Sequence, residues 1–176
     1  MYAKRSVSTR IAKYLFVVII FMGIISSLSL LVMASNKSDA EAINISGSLR
    51  MQSYRLLTEM ERSPDTVEQN LVRYQDSLNA HVLLTVQNQL FAPSGIKASY
   101  QKILQRWMMM SDLASSHQIE KYHAELKSYV QDVDDFVLEL QRFAEKKWII
   151  AVSVLCISML LILAMVSYVI WYMKRE

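Results

Sequence analysis

The chain has 176 residues, 53% of them hydrophobic and 20% charged, with a formal net charge of +3 and one cysteine. The positive balance lies at the ends, because residues 37–147 carry 13 basic against 15 acidic side chains, which excludes a nucleic-acid partner recruited by bulk charge. Cys156 alone leaves no disulfide within the chain.

Residues 1–13 form a short tail with Lys4, Arg5, Arg10 and Lys13 and no acid. Residues 14–36 then lack any charged side chain, as do residues 148–173. Each run exceeds the roughly 20 apolar residues that cross a bilayer core, and the first is too long for the apolar stretch of a cleaved signal peptide. The chain therefore reads as a two-span membrane protein, with Trp148, Trp171 and Tyr172 at span ends. Lys174 and Arg175 follow the second span, so the positive-inside rule puts both termini, 1–13 and 174–176, in the cytoplasm and residues 37–147 outside.

The external segment reads as helix, punctuated at Ser63-Pro64, at Pro93-Ser94-Gly95 and at Ser115-Ser116. The pattern predicts helices over 37–62, 65–90, 96–114 and 117–147. Pro64 suits a first helical turn with Ser63 as N-cap, and Ser115 with Gln118 suits a capping box for the last helix. That helix carries Ile119, Tyr122, Leu126, Tyr129, Val133, Phe136, Leu140 and Phe143 at three- and four-residue steps. The expected fold is all-α: an antiparallel four-helix bundle continuous with two transmembrane helices, homodimeric.

Arg50 is the candidate functional residue. It sits on a line running Ile43, Gly47, Arg50, Tyr54, Leu57, whose spacing puts these side chains on one helix face. A guanidinium keeps its charge, so an inward-facing Arg50 needs a carboxylate, an anion or water. Within one chain, Asp132, Asp134, Asp135 or Glu139 on the last helix would serve. Gly47, one turn before Arg50 and flanked by Ser46 and Ser48, would instead allow close approach of a second copy and bring two Arg50 side chains together. Two guanidiniums ~6 Å apart repel by roughly 3 kcal/mol at an effective dielectric of 20, and an anion ~4 Å from each gains about 4 kcal/mol per contact. A small planar anion with several oxygens fits two planar guanidiniums.

The stretch Asp39-Ala40-x-Ala42-Ile43-Asn44-x-x-Gly47-Ser48-Leu49-Arg50-Met51-Gln52-Ser53-Tyr54-Arg55 resembles the P-box, here residues 39–55, of nitrate/nitrite sensor kinases of the NarX and NarQ type. Asp134-x-Phe136-Val137-x-x-Leu140-Gln141-x-x-Ala144-Glu145-x-Lys147 is similar to the matching segment of the NarQ group. The resemblance implies a bacterial inner-membrane protein with a periplasmic sensor domain over 37–147. It also implies one nitrate or nitrite held at a homodimer axis by Arg50 of each copy, with backbone at Gly47 contributing. Ser46 stands where the family often has Ala, which bears on the polarity of the pocket.

Neither a cofactor nor a metal is expected. His117, Glu120 and His123 read as a solvated helix face, and Trp107-Met108-Met109-Met110 as core filler. His81, His117 and His123 all lie in the external segment and lack a following acid, so no phosphoacceptor is expected in this chain. No catalysis is expected of it either: it reads as the sensor and membrane half of a longer two-component kinase, or as a truncated paralogue. A kinase domain or response regulator would then be reached only through a further cytoplasmic part. The alternatives are the input module of a chemotaxis-type transducer and a structural helical membrane protein with Arg50 paired internally.

Overall fold

The computed structural model describes residues 3–89 and 92–175. Along the chain come α1 (Ala3–Arg62), a 3-10 turn (Pro64–Thr66), α2 (Val67–Leu78), α3 (His81–Val86), α4 (Ser94–Ser115) and α5 (Ile119–Arg175), with no strand among the described residues. Two compact units result: Met1–Ser35 with Lys146–Glu176, and Asn36–Glu145.

In the first unit, α1 and α5 are long and apolar enough to cross a membrane. Their apolar side chains, among them Leu15, Phe16, Leu30, Leu31, Ile150, Leu160 and Leu161, are exposed rather than packed into protein. The hydroxyls of Ser27 and Ser29 donate to the Gly23 and Ile25 carbonyls one turn back, which satisfies them within the helix. Lys147 Nζ donates to Ser35 Oγ at 3.1 Å. The Arg175 guanidinium lies over the exposed Trp171 ring, 5.1 Å from its centroid.

The second unit is an antiparallel bundle of α1, α2 with α3, α4 and α5, and its cross-links fix the directions. Gln52 meets Ser77 and Glu59 meets Asn70, so α2 runs against α1. Trp107 meets Gln75 and Tyr100 meets Leu78, so α4 runs against α2. Arg106 meets Ser128 while Gly95 abuts Glu139, so α5 runs against α4. Every position of the α5 periodicity from Tyr122 to Phe143 is buried, facing Leu49, Leu56, Leu78, Ile96, Ile103 and Met110 from the other helices, and Ile119 packs at its edge. The four-helix expectation is met, with one amendment.

The amendment is that the second helix is two pieces. At Asn79 and Ala80 the backbone leaves the helical path, Ala80 with φ −55° and ψ 131°. The buried Tyr100 hydroxyl donates to the Leu78 carbonyl at 2.7 Å, taking the acceptor that the next helical turn would have used. No Gly or Pro marks this break, and the expected end at Leu90 lies outside the described residues.

Both predicted caps are also corrected. Ser63 makes no side-chain cap, since its carbonyl instead accepts from Thr66 N and Thr66 Oγ1, and the turn it starts is 3-10. Ser115 is the last residue of α4, its hydroxyl donating back to Ser111, so no capping box forms with Gln118. Instead, His117 adopts a left-handed φ of 53° while Gln118 N bonds Leu113 O and His117 N bonds Ala114 O. This pair is a Schellman stop, usually built on glycine.

Candidate functional site

The buried line of α1 is Asp39, Ala42, Ser46, Leu49, Ser53, Leu56 and Met60, one residue off the line expected to face inward. Two serines belong to it because their hydroxyls donate to the Ala42 and Leu49 carbonyls, at 2.8 Å each, and are thereby satisfied in a dry environment. Rotated accordingly, Ile43, Gly47 and Leu57 are half-buried while Arg50 and Tyr54 are exposed. Ser46 faces the core, which removes the expectation that it tunes polarity beside Arg50.

Arg50 is therefore not buried: its side chain is 53% exposed, and Nη1 donates to Asp134 Oδ1 at 2.8 Å. Of the four acids expected as partners, the fold selects this one. Asp132 is held by Lys102 and Arg106, Asp135 accepts from Gln131, and Glu139 packs against Gly95. A Cβ added at Gly47 would meet nothing within 4 Å, so within one chain the glycine borders open space. The half-exposed Arg50, the exposed Met51 and Tyr54, and Leu138 on α5 leave a mixed apolar and cationic surface around it.

Two polar clusters behind this surface join the helices. In the first, the Tyr122 hydroxyl donates to the Ser53 carbonyl at 3.0 Å, Ser53 Oγ lies 3.3 Å from the Tyr74 hydroxyl, and the Tyr74 and Tyr129 hydroxyls are 2.8 Å apart. Trp107 stacks on Tyr74 at 3.7 Å between centroids. Burial pushes the Tyr74 phenol up to about 12, against smaller opposing effects of its hydrogen bonds, and pushes Tyr122 and Tyr129 up as well. These groups act as fixed neutral donors and acceptors.

In the second cluster, Asp132 takes Lys102 Nζ at 2.7 Å and Arg106 Nη1 at 2.6 Å, while Arg106 Nη2 reaches Glu125 at 3.0 Å. Burial works to raise the Asp132 carboxyl, but the hydrogen bonds and charges of Lys102 and Arg106 outweigh it and hold the group below its ordinary value. Neither cluster was legible from motifs. Tyr122 and Tyr129 stand in the sequence as members of an apolar periodicity and Tyr74 carries no motif, while the Lys102–Arg106–Asp132 bridge depends on how α4 is rotated. Among the described residues, no group of three His, Cys, Asp or Glu side chains is placed to hold a metal.

An antiparallel helical bundle carried by two helices with bare apolar ends defines a two-span helical module. The family profile described as PilJ, type IV pili methyl-accepting chemotaxis transducer N-term, matches residues 31–129, more than half of the chain, and the chain belongs to that family. It is 64% identical over all 176 residues to the sensor protein NarQ homolog of Haemophilus influenzae, covering 31% of that protein. It is 34% identical over 154 residues, 88% of the chain, to the nitrate/nitrite sensor protein NarQ of Escherichia coli, covering 27% of that protein. The resemblance to the NarQ group carried by the P-box thus extends along the whole chain, which spans less than a third of the length of these relatives.

Proposed function

We propose that the chain is the membrane-bound input module of a two-component sensor kinase, and that two copies hold one nitrate or nitrite between their Arg50 side chains. Residues 37–147 would lie in the periplasm and both termini in the cytoplasm, as the Lys/Arg asymmetry demands. The observation that carries the reading is the half-exposed Arg50 next to the open Gly47 surface, in a helix whose sequence follows the P-box. On one chain, water weakens any anion contact at such a guanidinium. A second copy laid across Gly47 would exclude that water and supply the second fork.

Because α1 and α5 run unbroken as Ala3–Arg62 and Ile119–Arg175, a change in their relative position on binding could pass along each helix. The description of the family profile gives weight to a chemotaxis-type transducer as the second reading. The matches to NarQ proteins, over 88% of the chain or more, favour the kinase class.

Calorimetric titration of the purified dimer with nitrate, nitrite and chloride tests the proposal. One nitrate per two chains is expected, lost in Arg50→Ala with the helical signal kept, and much weakened in Arg50→Lys, which lacks the planar fork. One site per chain, or undiminished binding in Arg50→Ala, would overturn it.

A further inference from the structure

A second basic cleft lies on a different flank of α1. It is a partly open cleft of about 260 Å³, lined by Gln52 and the exposed Arg55 from α1 and by Asn70, the exposed Arg73 and Ser77 from α2. Two guanidiniums from two helices line one cavity, and their charge is only partly matched. Glu59, among the described residues the one carboxylate bonded to these side chains, is already engaged: Arg55 Nε donates to it at 2.7 Å, and Asn70 Nδ2 donates to its other oxygen. Arg73 has no carboxylate partner among the described residues, and its hydrogen bond goes to the neutral Asn70 Oδ1 at 3.4 Å. One positive charge is thus left over at the cleft.

The cleft also offers acceptors. Gln52 Nε2 donates to Ser48 Oγ at 3.0 Å and to Ser77 Oγ at 3.1 Å, which turns the amide's donors to the protein and leaves its oxygen as an acceptor. Guanidinium donors on two walls of a cleft also lined by an amide with a spare acceptor suit an oxyanion whose oxygens point out of one plane and which keeps a proton of its own. Inorganic phosphate near neutral pH has that chemistry, whereas nitrate is planar and sulfate carries no proton.

We infer that the Arg55–Arg73 cleft is a binding site for inorganic phosphate, separate from the Arg50 surface. Bound there, phosphate would brace α1 against α2 on one flank while Arg50 faces α5 on another, so its occupancy would bear on how freely α1 shifts. Phosphate binding here does not depend on the nitrate reading of Arg50.

The test is the melting midpoint of the purified full chain in phospholipid-free detergent, titrated with phosphate, sulfate, nitrate and chloride at matched ionic strength. Phosphate should give a saturable rise in the parent protein and in Arg50→Ala. Loss of one charge-assisted fork in Arg73→Gln should lower phosphate affinity by roughly tenfold or more, and Gln52→Glu, which adds a carboxylate to the cleft, should abolish the rise. Any nitrate response should survive both cleft variants. Equal responses to phosphate, sulfate and chloride, or a phosphate rise that persists in Arg73→Gln and Gln52→Glu, would overturn the assignment.

Discussion

The Arg50 guanidinium donates to the Asp134 carboxylate at 2.8 Å, joining α1 to α5 across 84 residues of chain. If Arg50 holds an external anion, the Asp134 carboxylate already bonded to Nη1 would compete with it. Both side chains are well exposed, at 53% and 39%, which limits the pair to about 1 kcal/mol or less. Asp134→Asn should therefore leave the melting midpoint nearly unchanged and tighten nitrate binding by up to about fivefold, read by calorimetry. Weaker binding in Asp134→Asn would mean that the carboxylate positions Arg50 rather than competes for it.

Substitution at Gly47 offers a test that separates stability from the proposed function. Because a Cβ there meets nothing within one chain, Gly47→Leu should fold and gain helix stability, by several tenths of a kcal/mol up to about 1 kcal/mol. If a second copy crosses at Gly47, the same side chain should hold the helices apart and remove nitrate binding. Paired melting and titration measurements on Gly47→Leu decide this, and a stabilised variant with parental affinity would show that no helix crosses there.

The contrast between Arg50 and the tyrosines shows what the sequence could and could not convey. The α5 periodicity from Tyr122 to Phe143 was legible because every member is large and apolar at one end. The inward line of α1 was missed by one residue because Ser46 and Ser53 look polar yet satisfy themselves on backbone carbonyls, a local bond that composition does not announce. Asp134 stood among four candidate partners. Choosing it requires knowing which side of α5 faces α1, a property of the packing. The break after Leu78 was invisible for a similar reason: its carbonyl is claimed by Tyr100, 22 residues on.

Asp132 makes an acid-side prediction. Its folded-state value lies below the ordinary one of 3.8, so its stabilising contribution is present above that value and is lost as pH falls through the folded value. The melting midpoint of the parent protein should drop from about pH 5 downward. Asp132→Asn should cost roughly 2–3 kcal/mol near neutrality, because Lys102 and Arg106 lose a buried counterion, and should flatten that acid limb. An acid limb as steep in Asp132→Asn as in the parent would assign it to other carboxyls.

Tyr122, Tyr74 and Tyr129 make the alkaline counterpart. All three are fully buried, and burial raises each above the ordinary value of 10.0, Tyr74 to about 12. The unfolded chain then loses these protons before the folded one does. Stability is complete below pH 10 and falls as pH rises toward the folded values, by about 1.4 kcal/mol per pH unit for each tyrosine involved. Tyr122→Phe removes the bond to the Ser53 carbonyl, which remains within its helix, so the cost near neutrality should be only about 1 kcal/mol. Its alkaline slope should fall by about one quarter, since Tyr74, Tyr129 and the likewise buried and raised Tyr100 remain. Melting midpoints from pH 8 to pH 11.5 would show both effects, and an alkaline slope identical in parent and Tyr122→Phe would place the transition on groups outside this cluster.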